Sequence, residues 1–309
     1  MIVKKIITLI LILKSIGIGY AQDLDSLLQE ELNKNPTKQY VEATFKAGRI
    51  VLGRSIENAS KGELVFLISH HFGTVNQGVS NFFGLDESSI RFGFEYGLTK
   101  TLSIGVGRSS YNKVYDGFFK LKLLRQSNGK GSIPLSLSLF SNIGITSVDW
   151  SVADRDNLFE SRISYNYQLL IARKFSNRIS LQLTPGMVHR NLVKTKEDEN
   201  DVFSLGAGGR FKLSNRFSIN AEYFYLMPGK TADDYFNPFS IGFDIETGGH
   251  VFQIFVTNSN AMIEQEFIPK TNGNWNDGDI RIGFNISRVF TIIKNKTIES
   301  DFRPLEKKQ

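Results

Sequence analysis

No cysteine occurs among the 309 residues. A disulfide framework and a lipid-anchored cysteine are both excluded, so packing and hydrogen bonding alone stabilise the fold. Long apolar runs are equally scarce. The longest is the eight-residue stretch Ile7–Leu13 with Ile6, flanked by Lys4, Lys5 and Lys14 and followed by Gly19-Tyr20-Ala21. Eight apolar residues fall well short of the roughly 20 that a spanning helix needs; charge, apolar core and small residues in that order predict a secretory signal peptide over 1–21. Nothing after residue 21 approaches a transmembrane helix, so an integral membrane protein of this composition has to be a closed β-barrel. Basic charge is also in short supply. The formal +6 loses three lysines with the leader, leaving +3, and no nucleic-acid partner is inferred. The four histidines, at 70, 71, 189 and 250, show no metal-ligand spacing, and no cofactor is implied.

What the chain has is period-two alternation. Leu24, Leu27, Leu28 and Leu32 first share one face of a short helix over 23–33, ended by Asn35-Pro36. Residues 43–51 read as one strand and the segment to Lys61 as a linker. From Gly62 the grammar changes: Ile90, Phe92, Phe94 and Tyr96 alternate with Arg91, Gly93, Glu95 and Gly97, and the same pattern recurs through Ile286. Twelve such strands are counted. Several reach ten residues or more, the roughly 9 to 11 that a tilted strand needs to cross a bilayer. Thr99-Lys100, Ser176-Asn177, Ser214-Asn215 and Gly248-Gly249 make tight turns, with 126–132 somewhat longer; 73–87, 147–160, 191–200, 229–237 and 259–278 make long loops between them. Short turns on one side and long loops on the other are the habit of outer-membrane barrels; the connection at 112–114 is short for its side. A thirteenth spanning strand would break this parity, so 43–51 belongs outside the wall, with the lumen as one place for it.

The expectation is therefore an all-β, antiparallel up-and-down transmembrane barrel of about 12 strands with a short N-terminal helix. Its divisions are a signal peptide at 1–21, an N-terminal periplasmic segment or plug at 22–61, the barrel at 62–291 and a periplasmic tail at 292–309. A soluble β-sandwich also alternates, but its strands are shorter, and a polar face of glycine, serine and asparagine suits a narrow interior.

The stretches SNFFGLDESSIRFGFEYGLT, SYNYQLLIARKFSNRISLQLTPGMVHRNLV, DVFSLGAGGRFKL, SIGFDIETGGHVFQIFVTNS and GDIRIGFNISRVF resemble an uncharacterised β-barrel family, a domain of unknown function found in Bacteroidota, over roughly residues 43–291. The resemblance implies an outer-membrane barrel and brings no activity and no catalytic residues. His71 in ISHHFG departs from the basic residue expected there. Outer-membrane barrels generally end on an aromatic residue read by the assembly machinery; Phe290 matches that position, although Arg288 interrupts the apolar series and residues 291–309 follow.

The candidate chemistry lies on the inward face: Arg91, Glu95, Lys120, Lys122, Arg162, Arg210, Glu222, Asp244, Glu246 and Arg281. Paired, these groups brace or close the lumen, since buried charges are costly unless partnered; unpaired, the basic excess favours small anions. The glycine-rich GVGRSS at 105–110 and LGAGGR at 205–210 do not open helices and read as relief of lumen crowding rather than phosphate loops. The polar run at 272–279 fails the register of a calcium loop. The functional expectation is a narrow channel or transport component, with the bilayer, the assembly machinery and a small solute or anion as partners. The alternatives are a non-conducting interaction barrel presenting the acidic loops 151–160 and 195–201, and a membrane-surface lipid hydrolase using His189, which no G-x-S-x-G elbow supports.

Overall fold

A computed structural model describes residues 38–150, 156–229 and 231–293. The signal peptide and the 23–33 helix lie outside the described residues, as does the tail from 294. Twelve strands run in chain order: β1 Glu63–Thr74, β2 Ser88–Gly97, β3 Leu102–Ser109, β4 Val114–Leu124, β5 Ser136–Thr146, β6 Ile163–Lys174, β7 Ile179–Arg190, β8 Asp201–Lys212, β9 Phe217–Leu226, β10 Phe239–Thr247, β11 His250–Thr257 and β12 Arg281–Thr291. Each pairs antiparallel with its sequence neighbours, and β12 pairs with β1 to close the barrel. Lipid offers backbone groups no hydrogen-bond partner, so closure is what makes the sheet viable there.

Side chains alternate across the wall as the period demands. Along β8, Phe203, Leu205 and Ala207 are exposed while Ser204 and Gly206 are buried. The outward residues form an apolar band that includes Phe92, Phe94, Leu181, Leu183, Phe243 and Ile254. Cross-strand contacts on it, such as Phe66 stacked on Phe94 at 4.9 Å, tie neighbouring strands together. Three tight turns use one device: the hydroxyls of Thr99, Ser176 and Ser214 accept backbone N–H bonds from residues two and three positions on, which satisfies the reversing backbone. The short connection after β3 is a 3-10 turn, Tyr111–Lys113, in which Asn112 and Lys113 take positive φ of 51° and 45°.

A separate small unit joins Gln39–Tyr40 to Ser127–Asn128 as a two-stranded ladder, continued by the Val41 N–H donating to Gln126 O at 2.9 Å.

Two expectations need correction. Residues 43–51 are not a strand: they bend into a hairpin whose only ladder contact is an isolated bridge between Arg49 and Arg54. The connection 258–280 is not simply an open loop, because it carries a short helix, α1 Glu264–Lys270, whose residues 264–269 are buried.

Candidate functional site

The hairpin and α1 fill the barrel from its two ends. On the side of the short turns, residues 43–59 enter the lumen immediately before β1. The turn closes through Ile50 N–H donating to Gly53 O at 2.9 Å and Ser55 N–H donating to Gly48 O at 3.0 Å. Too short for a ladder of its own, this segment depends on the wall for its remaining backbone partners. Glu222 accepts the N–H groups of Val51, Leu52 and Gly53 at 3.3, 2.5 and 3.1 Å. Gln182 donates to Arg54 O at 2.7 Å, Asn285 to Val51 O at 2.9 Å and Gln253 to Ile50 O at 3.0 Å. Arg210 donates to the carbonyls of Ala43 and Thr44, both at 3.1 Å, and Lys120 donates to Glu57 O. The polar face of the barrel is thus matched to an irregular chain rather than to open water. Gly53 is required at the tip, because a Cβ there would lie 2.8 Å from the Phe224 ring.

From the long-loop end, residues 258–273 descend into the lumen. Asn258 anchors the segment by donating to Gly273 O at 2.8 Å, and Asn142 donates to Glu264 at 3.0 Å and to Gln265 at 2.8 Å. A seven-residue helix has little stability alone; here Phe267 packs edge-on against Phe224 at 5.2 Å and, with Ile268, joins the cluster formed by Ile50, Val51, Leu52 and the inward Phe118, Phe140 and Leu170.

The two inserts meet at one carboxylate. Glu264 lies 3.6 Å from Arg54 Nε and 4.0 Å from Arg49 Nη1, all three residues being buried. Arg54 continues to Glu95 at 3.7 Å and stacks over Phe118 at 4.0 Å, while Glu95 takes Lys120 at 3.5 Å and the Ser103 hydroxyl at 2.7 Å. Beside them Arg91 forks onto Asp116 with bonds of 3.0 and 2.6 Å. An added Cβ at Gly107 would sit 2.2 Å from Arg91 Nη2, so the glycine-rich β3 makes room for this pair. A small space of about 30 Å³ is lined by Arg49, Arg54, Arg91, Glu95 and Phe118 among others; that is room for a water or two. Wider crevices open towards each end, about 400 Å³ beside Lys46 and Glu246 and about 570 Å³ under the long loops.

Of the ten inward charges expected from sequence, Arg91, Glu95, Lys120, Arg210, Glu222 and Asp244 are buried inside. Asp244 accepts from Gln253 at 2.9 Å. Lys122 is half-buried near the short-turn end of β4, and Glu246 pairs with Lys46 at the same end of the barrel. Arg281 begins β12 and donates to Phe72 O. Arg162 precedes β6 in the turn Phe159–Arg162: it lies over the Trp150 ring at 4.0 Å, donates to the Thr146 and Val148 carbonyls, and borders a crevice shared with Glu266 and Lys270 of α1. Sequence reasoning missed Arg49, Arg54, Asp116 and Glu264. Asp116 shares the parity of Lys120 and was readable by extending β4 backwards; the apolar AMIEQEFI inside a polar loop was the signal for α1. These four add two cations and two anions, so what they change is the pairing of the inward charges and not their balance. Phe290 occupies the next-to-last position of β12, opposite Leu64.

His189 pairs with Asp201 at 2.7 Å and faces Tyr165 on the other neighbouring strand. Neither directly paired position carries a serine. Among the described residues no group of three or more acidic or histidine side chains converges on a metal position.

A closed twelve-stranded sheet with an apolar outer band and a filled polar lumen defines a membrane β-barrel. Residues 45–290 match the family model of the membrane bound beta barrel domain DUF5777, and the chain belongs to that family. No curated protein matches the sequence. Among solved structures, the KdgM porin is similar at 10% identity and a TM-score of 0.45, covering 74% of this chain and 99% of its own. An outer membrane channel from Pseudomonas putida F1 is similar at 13% identity and 0.42, over 80% of this chain and all of its own. The outer membrane phospholipase A of Escherichia coli is similar at 9% identity and 0.40, over 73% and 89%. These likenesses are of fold alone; the family match and the closed sheet make the protein a membrane-bound β-barrel.

Proposed function

We propose that this barrel is a narrow, gated channel for small polar solutes, described here in its closed form, with 43–59 and 258–273 as its two removable stoppers. The observation that carries this reading is the chemistry of the contact between stopper and wall. Gln182, Gln253, Asn285, Arg210 and Lys120 hold the hairpin by hydrogen bonds to its backbone, and water replaces such bonds at small net cost. Phe290 is assigned the role of the assembly signal on the strength of its place at the end of β12.

Planar-bilayer recording tests the proposal. The intact protein should show rare, brief openings. Deleting 43–59 should give a steady conductance, and deleting 260–272 should raise the frequency of openings. Arg210→Ala in the first deletion should alter ion preference, because lumen charges set selectivity. Silence of both deletion variants, inserted and folded, overturns the channel reading and leaves a static barrel braced by pairs such as Arg91–Asp116.

A further inference from the structure

The cavity of about 570 Å³ at the long-loop end is built from four separate connections, and its volume falls within the roughly 300–1,000 Å³ of small-molecule pockets. Tyr111 comes from the turn after β3, Arg190 and Lys194 from the end of β7 and its loop, Asp234 and Tyr235 from the loop after β9, and Lys270 from the last turn of α1. Most of its charges already cancel. Arg190 is buried, with Nη2 donating to Glu199 O at 2.6 Å and lying 3.4 Å from Asp198. Lys270 pairs with Glu266 at 2.7 Å, and the other oxygen of Glu266 accepts from Asn112 at 2.6 Å.

Two charges are left over, Lys194 and Asp234. Both are exposed, they come from different loops, and neither takes part in an ion pair or hydrogen bond among the described residues. Burial and the nearby carboxylates of Asp198 and Asp234 push the Tyr235 phenol above its ordinary range, which keeps a neutral donor between the loops. One free cation and one free anion on facing loops of a single polar, tyrosine-lined cavity match a ligand that carries both signs at a distance.

We propose that this cavity binds zwitterionic solutes of the amino-acid and short-peptide class, the carboxylate towards Lys194 and the ammonium towards Asp234. The site lies against α1, so as a statement about the transported substrate it rests on the channel reading; as a binding site it stands by itself.

Isothermal titration of the full-length protein in detergent tests it with three probes of one body: trialanine, N-acetyl-trialanine and trialanine amide. Trialanine should bind, and each blocked form should bind about three- to fivefold more weakly, the scale of one exposed ion pair. Lys194→Glu and Asp234→Lys should each weaken trialanine by a similar factor, and the double exchange Lys194→Glu/Asp234→Lys should recover most of the affinity. Both positions are exposed loop residues, so the variants keep the barrel. Absence of trialanine binding, equal binding of the blocked forms, or no recovery in the double exchange overturns the proposal. Binding without conductance in the bilayer removes the channel and keeps the site; conductance without binding does the reverse.

Discussion

Glu222 is where the inner stopper is most exposed to a single change. Its carboxylate receives three consecutive backbone N–H groups, from Val51, Leu52 and Gly53. The hairpin's own bonds run from Ile50 N–H to Gly53 O and from Ser55 N–H to Gly48 O and leave these three amides to the wall. Glu222→Ala leaves three buried donors facing apolar neighbours, and each unsatisfied donor costs about 1–3 kcal/mol. Taking the lower bound for each, because one contact is long and the turn can relax, the seated hairpin loses about 3 kcal/mol, or roughly a hundredfold in the seated-to-released ratio. The absence of cysteine makes the assay clean: Ser55→Cys, fully buried in the lumen, becomes the sole thiol. Its reaction with a membrane-impermeant maleimide reports the released population when opening and closing are fast. Labelling should accelerate by about two decades with Glu222→Ala and by less with Glu222→Gln, which keeps one acceptor oxygen. The barrel's unfolding in denaturant, followed in parallel, should change much less. Equal labelling rates in Ser55→Cys with and without Glu222→Ala would refute the idea that this carboxylate holds the hairpin.

Further outcomes follow from the same packing. Phe243→Arg, on the lipid-facing side of β10, should destabilise the inserted barrel by up to about 2–4 kcal/mol, depending on depth, measured by denaturant titration in vesicles; an Arg at Asn220 in the neighbouring strand faces inward and should instead displace the hairpin. Arg91→Ala strands Asp116 and should cost about 3–5 kcal/mol, whereas Arg91→Met with Asp116→Leu should come close to the parent, as read by thermal unfolding in detergent. Gly107→Val drives a side chain into the Arg91 fork and should lose about 1–3 kcal/mol, while Gly248→Ala, which meets nothing within 4 Å, should be neutral in the same measurement.

The wall was legible because lipid imposes one rule on every strand. A residue at the wrong parity places a charge in hydrocarbon or an apolar chain against the lumen, so period two survives from Gly62 to Ile286 and the parity of loops follows from it. That parity also removed 43–51 from the wall. The contents of the barrel obey no such rule. The hairpin at 48–55 is fixed by bonds to Glu222, Gln182 and Asn285, which lie 100 or more residues away, and no local pattern announces them. Arg162 falls in the 3-10 turn Phe159–Arg162 and not in β6, so its partners are loop carbonyls that alternation does not announce. The inward charges of the strands were readable singly, yet their meaning changed once Arg49, Arg54 and Glu264 supplied partners from elements that the periodicity does not describe.

The order of pairing along the chain bears on how such a barrel is made. Nine of the eleven pairings between successive strands can form without β1 or β12, and local pairings form fastest. The junction of β12 with β1 joins the most distant segments, Leu64 against Phe290, and it comes last. Residues 43–59 lead directly into β1 and 258–273 lead towards β12, so both fillings are tethered to the two strands that meet at that junction. The cask is therefore loaded as its final staves come together, with Arg49, Arg54 and Glu264 brought into register by the same event. A permuted chain that opens between β6 and β7 instead should close its wall with the fillings still outside, and refold more slowly to the sealed state.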